Sequence, residues 1–162
     1  MRIGIDIMGG DFAPEATVLG AIEALKEIDG STRIVMFGDQ DQILPILKRE
    51  DIDPSLFDIV HTTQIIEMGE HPAKAFSKKS DSSITVGFHH LSNGKLDGFA
   101  SAGNTGAMMV GAMYTVKVVP GVIRPCISSV LPLMEGGNAI LVDVGINADC
   151  RPDVLYQYAI LG

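Results

Sequence analysis

The chain has 162 residues, 46% of them hydrophobic, and a formal net charge of −8 from 12 basic and 20 acidic side chains. This is enough apolar sequence to pack a core and too little length for two large domains, so disorder is excluded and one domain over residues 1–162 is expected. The acidic balance argues against a nucleic-acid partner, which needs a basic face. It leaves room for an acidic protein partner, because Lys74, Lys78 and Lys79 form a local basic patch.

In chain order, Arg2–Ile7 is a β-branched run and reads as a strand. Val18, Ile22, Leu25 and Ile28 recur at helical spacing over 14–28, with Pro14 suited to a first turn and Asp29-Gly30 as the stop. RIVMF at 33–37 is a second strand. Asp39 then fits a helix N-cap with Gln42 placed for a capping box, although Pro45 interrupts the pattern that follows. A short strand is expected over 57–61, then a loop over 62–81 holding a short helix. A helix over 82–92 is stopped by Gly94, and a strand follows at 97–100. Residues 105–116 read as a helix, 126–131 and 139–144 as two more strands, and 152–161 as a last helix. The chain ends inside that apolar helix, QYAILG, and reads as the front part of a longer protein.

Strands alternating with helices predict βαβ units, and strands apolar on both faces predict a sheet covered on both sides. The fold class expected is therefore α/β with a mostly parallel sheet. Cys126 and Cys150 lack ligand-like spacing, so neither a disulfide framework nor a zinc site is indicated. Asp6 comes too early for a secretory signal, and the longest apolar stretch, 106–116, is short of the roughly 18 residues a spanning helix needs. A protein of the reducing cytoplasm is expected.

Three segments at strand ends combine glycine with Asp, Asn or Ser: DIMGGDFAPE (6–15), SAGNTGA (101–107) and DVGINADCRPD (143–153). In an open α/β sheet ligands bind at the carboxyl ends of the strands. In the second segment, Gly103 and Gly106 let backbone N–H groups converge, and Ser101, Asn104 and Thr105 add side-chain donors. That suits a phosphate or a developing oxyanion. It is neither a Walker loop nor a dinucleotide fingerprint, and it also fits a plain turn packing a helix on a sheet. In the first segment, Asp6 and Asp11 flank Gly9-Gly10 and could orient a substrate or hold a metal. Equally, Asp6 could bond a neighbouring loop and Asp11 cap the helix. In the third, Asp149 could orient or deprotonate a substrate, and Cys150 fits either an activated thiol or a packing residue. Before the 82–92 helix, Lys78 and Lys79 fit an anion clamp or a solvated cluster. His61, His71, His89 and His90 have no ligand-like companions.

Taken together and in this order, DIMGGDFAPE, KKSDSSI, SAGNTGA and VGINADCRPD resemble the bacterial phosphate acyltransferases of phospholipid synthesis, over essentially the whole chain. The resemblance implies a Rossmann-like three-layer sandwich, similar to phosphotransacetylases and isopropylmalate dehydrogenases. It implies transfer of a long-chain acyl group from an acyl-carrier-protein thioester to inorganic phosphate, with no metal or organic cofactor. It also implies a cytoplasmic homodimer in peripheral contact with the inner face of the membrane or with a membrane acyltransferase. By the same resemblance, Asn104, Asn147, Asp149 and Lys79 serve the reaction. Asp6, Gly9, Gly10, Asp11, Asp81, Ser82, Ser101, Gly103, Thr105 and Gly106 hold phosphate or substrate. Two other readings remain: a phosphotransacetylase acting on acetyl-CoA, and a non-catalytic module that binds acyl-carrier protein or a membrane surface.

Overall fold

The computed structural model describes residues 1–147 and 149–162. These form two compact units, Met1–Val116 and Lys117–Gly162.

The first unit is built on four strands, β1 (Arg2–Asp6), β2 (Arg33–Gly38), β3 (Asp58–His61) and β4 (Gly98–Ala100). All neighbours pair parallel, in the order β3-β2-β1-β4. The helices are α1 (Glu15–Glu27), α2 (Gln40–Arg49), α3 (Pro72–Lys78), α4 (Ser83–Ser92) and α5 (Thr105–Gly111). The alternation of β2 shows how the layers form. Ile34 and Met36 pack with Val18, Ala21 and Ile22 of α1 and Ile43, Ile46 and Leu47 of α2. Val35 and Phe37 point the other way, onto Leu96, Phe99 and Val86 of α4. A strand buried on both faces between helices is the pattern that its unbroken apolar run predicts. The expected three-layer α/β architecture with a mostly parallel sheet is therefore present.

Most boundaries fall within a residue or two of expectation. Asp39 caps α2 by accepting from the Asp41 amide at 3.0 Å, but the capping box does not close. The Gln42 side chain donates to the Asp39 carboxylate instead of reaching the backbone. Helix α2 runs through Pro45 without stopping. Ser82 caps α4, and Gly94 ends it at φ 68°. The helix expected over 105–116 is α-helical only to Gly111 and then widens into a π-helical turn over Ala112–Val116. There the Thr115 hydroxyl donates to the Gly111 carbonyl at 2.7 Å, competing with the regular ladder.

The second unit corrects one expectation. Its strands, β5 (Ser128–Pro132) and β6 (Asn138–Val142), do not extend a parallel sheet but pair antiparallel as a hairpin. The five residues between them are too few for a crossover connection. Gly136 and Gly137 turn the chain at φ 87° and 86°, where L side chains are strained. Helix α6 (Pro152–Leu161) completes the unit and buries Val154 and Tyr158.

Candidate active site

The strand order places a topological switch between β1 and β4. From β1 the chain steps outward to β2 and β3, then returns to the other side of β1 as β4. The loops leaving β1 and β4 diverge there, and such divergence opens the crevice in which open α/β sheets hold ligands. The first two glycine-rich segments are these two loops.

They are locked together. Asp6, the last residue of β1, is 1% exposed and accepts from the Ser101 hydroxyl at 2.6 Å and the Met8 amide at 3.1 Å. Ser101 in turn accepts from the Gly103 amide at 2.9 Å. The glycines make the approach possible. A Cβ on Gly9 would lie 2.3 Å from the Asp6 carboxylate and 2.8 Å from the Gly103 nitrogen. Gly10, at φ 112°, lies against Ala102. Burial raises the pKa of Asp6 above the ordinary 3.8, while the hydroxyls of Ser101 and Ser83 and the amides of Met8 and Gly9 pull it down. Ile5, Asp6, Thr17, Gly20, Ala21 and Ala100–Ala102 line an open groove of about 310 Å³ beside this lock.

Asn104 is more structural than its residue type suggests. It caps α5 by accepting from the Ala107 amide at 2.9 Å. Its own amide donates to the carbonyls of Glu67, Glu70 and Met68 at 2.9, 3.2 and 3.3 Å. It thereby pins the 67–70 turn, and at 4% exposure it has little surface to offer a ligand. Gly106 brings α5 against α3, since a Cβ there would meet the Pro72 ring at 2.3 Å. Among the polar side chains of this turn, Thr105 is the exposed one. Asp11 is exposed too, and it does not cap α1, whose preceding residue Pro14 follows a cis peptide bond.

The SKKSDSSI segment is also tied inward. Lys79 donates to the Ile65 carbonyl and the Glu70 carboxylate, and this pairing holds Glu70 below the usual carboxylate range. Asp81 accepts from the Thr63 amide and hydroxyl, at 2.9 and 2.6 Å, which lowers its pKa. Ser82 is fully buried and exchanges hydrogen bonds with Thr85. Partners such as Thr63 and Glu70 escape a reading by motif. They sit in the irregular loop, and only their distance to a cation or carboxylate in space gives them meaning.

Asn147 and Asp149 belong to the second unit. The Asn147 amide donates to Tyr158 Oη at 2.8 Å, the Asp143 carboxylate at 2.9 Å and the Pro125 carbonyl at 3.2 Å. Burial, with a hydrogen bond to Cys150, pushes the Tyr158 phenol up to about 12. Asp149 is exposed, and its backbone carbonyl accepts from Arg124. Cys126 and Cys150 are free, and burial raises the Cys126 thiol, so Cys126 is not an activated nucleophile by environment. The third segment follows a hairpin strand, so it does not leave the carboxyl edge of the parallel sheet as expected. Among the described residues there is no group of three His, Cys, Asp or Glu side chains able to hold a metal ion. No helix there is long and apolar enough to cross a membrane.

A parallel sheet with a glycine-lined crevice at its switch point defines the class: an α/β protein with a crevice at the carboxyl ends of parallel strands, where open sheets hold ligands. The chain belongs to the family described as fatty acid synthesis protein, whose model matches residues 1–162. It is 43% identical over 162 residues to the phosphate acyltransferase of Dictyoglomus turgidum, covering all of this chain and 48% of that one. It is 40% identical to the phosphate acyltransferase of Oceanobacillus iheyensis, covering 47% of it. The chain thus spans about half the length of the curated relatives it matches. Among solved structures, EutD phosphotransacetylase from Staphylococcus aureus superposes with a TM-score of 0.66 at 20% identity. That match covers 98% of this chain and 51% of that one, and it speaks for the fold. The resemblance carried by the four sequence segments is borne out.

Proposed function

We propose that this chain is part of an acyltransferase that moves a long-chain fatty acyl group from acyl-carrier protein to inorganic phosphate. The observation that carries the reading is the lock between the loops leaving β1 and β4, which builds a crevice at the switch point. The family membership and the name shared by the relatives supply the chemistry.

In this reading a phosphate oxygen attacks the thioester carbonyl, and the carbonyl electrons move onto its oxygen. Collapse of the tetrahedral species expels the carrier-protein thiolate and leaves an acyl phosphate, a precursor for phospholipid synthesis. No acyl-enzyme forms, which agrees with the raised pKa of the Cys126 thiol. The gain comes mainly from holding two reactants in register, which can supply several powers of ten in rate. Gly9, Gly10, Gly103 and Gly106 let backbone close around the reactants, and the exposed Thr105 hydroxyl and Asp11 stand where a ligand can reach them. Asp6, Ser101, Asn104 and Ser82 act from behind, holding the loops in place. For Lys79 to neutralise phosphate it must exchange its contact with Glu70 for the ligand. Asn147 orients Tyr158 and Asp143, and Asp149 offers a free carboxylate to position a reactant.

The test is thiol release from palmitoyl-acyl-carrier protein with and without phosphate, using this chain beside the full-length Dictyoglomus turgidum relative. The reading predicts phosphate-dependent release by the relative, abolished by replacing its counterpart of Thr105 with valine. Release by this chain as well would place the chemistry within its 162 residues. Release from acetyl-CoA but not from the carrier protein would transfer the assignment to a phosphotransacetylase. Binding of carrier protein without release by either chain would leave a non-catalytic module.

A further inference from the structure

We infer that the exposed face of α3 bearing Lys74 and Lys78 is the docking surface for the acidic protein that carries the acyl group. The choice of partner rests on the acyl-transfer reading above; the choice of surface rests on charge and geometry.

The chain is acidic, with 20 carboxylates to 12 basic residues, and half of the basic residues are in ion pairs among the described residues. Arg2 and Arg33 pair with Asp58, Lys26 with Glu23, Arg49 with Glu15 and Glu50, and Arg151 with Asp153. On α3 two unpaired lysines stand side by side. Lys74 and Lys78 lie one turn apart on an exposed face, and neither is in an ion pair among the described residues. Like charges at this spacing repel and weaken a helix. A chain with carboxylates in excess leaves them unanswered.

The two lysines border a cleft of about 250 Å³ with Ala75, His71, Glu70 and Lys79. Glu70 is neutralised by Lys79, so the uncompensated charge in the cleft is positive. The large apolar residue of α3, Phe76, is buried in the core together with Ala75. The helix therefore has no apolar face to insert among lipid tails, as an interfacial helix requires. A concave surface bordered by unpaired lysines fits a carboxylate-bearing helix of another protein.

This face is also coupled to the candidate site. The Asn104 amide holds the turn leading into α3, and Gly106 packs on Pro72, the first residue of α3. A partner seated on Lys74 and Lys78 therefore borders the 101–106 turn and can deliver a tethered thioester to it.

The experiment measures binding of fluorescently labelled holo-acyl-carrier protein to this chain by anisotropy, at low and at moderate salt. A Lys74→Glu/Lys78→Glu variant is compared with Lys48→Glu/Lys95→Glu, which changes net charge equally using unpaired lysines elsewhere; circular dichroism verifies that both fold. The inference expects salt-sensitive binding that falls by about tenfold or more in the α3 variant and little in the other, as losing a charge-complementary contact should. Equal weakening in both variants, wild-type-like binding by the α3 variant, or no binding by the wild type would each overturn it. So would binding to phosphatidylglycerol vesicles, rather than to the carrier protein, that is lost with the same substitutions. Thiol release is followed in the same samples with the full-length relative as control. Binding that depends on α3 without release anywhere would sink the acyl-transfer reading and leave the docking surface standing.

Discussion

Strands β2 and β5 both read as short strands from the sequence and differ completely as structure. β2 (RIVMFG) is buried at five of six positions, while β5 (SSVLP), with two serines and a proline, is exposed at all five. The difference lies in what the neighbouring segments can reach. β2 is covered by α1 and α2 on one face and by α4 with Leu96 and Phe99 on the other. β5 is followed by a five-residue turn, so its partner is another strand, and a hairpin covers edges rather than faces. A strand's apolar content tells that it must be covered; the length of the next connection tells by what.

The sharpest way to break this comparison is truncation in each strand. Met36→Ala, at a fully buried position, should cost about 3 kcal/mol or more in denaturant unfolding. Val130→Ala, at an exposed position of β5, should cost less than about 0.5 kcal/mol. Equal losses would mean that the hairpin is covered in solution. Next in size is Asn104→Ala, which orphans an α5 amide and the carbonyls of the 67–70 turn and should cost about 2–3 kcal/mol. Asn104→Asp separates its two roles. It retains the cap acceptor and loses the donors, so a loss as large as that of alanine would assign the stability to the turn.

A smaller effect tests the loop lock by titration. Asp6 should titrate above 3.8, because burial disfavours its charged form. A carboxyl whose folded pKa is raised contributes stability fully present below its unfolded pKa, and that contribution is lost as pH rises through the folded value. Carboxyl NMR should show the midpoint moving further up in Ser101→Ala, since the serine hydroxyl favours the carboxylate. A downward move would mean that Ser101 is not its donor. Smallest of all, the buried Thr62 hydroxyl has no hydrogen-bond partner among the described residues. Thr62→Val should therefore raise stability by about 1 kcal/mol in thermal or denaturant unfolding.

Much of the first unit was legible in the sequence, and for identifiable reasons. The period of α1, the cap at Asp39 and the stop at Gly94 are local signals, and local signals survive folding. The hairpin is less legible, because its only local signal is the short MEGG between two apolar runs. In the candidate site, the segments are legible but the partners of their side chains are not. Ser101 and Asn104 carry donors suited to phosphate, yet those donors are spent on Asp6 and on the 67–70 carbonyls. Nothing in the sequence neighbourhood of Asn104 reveals a turn more than thirty residues earlier that needs its amide. Gly9 and Gly103 were legible as permissive residues, whereas their mutual approach depends on two strands pairing across 95 residues.

That separation has a consequence for biosynthesis. Strands β1, β2 and β3 can assemble on the nascent chain as it emerges, since each pairs with the strand made just before it. The crevice waits, because Ser101 reaches Asp6 only after β4 has been made and has closed a long loop back to β1. A molecule that spans the two loops would thus recognise only chains whose β4 has docked. It would serve as a reporter of completed assembly and, by mass action, draw late intermediates forward to the finished unit.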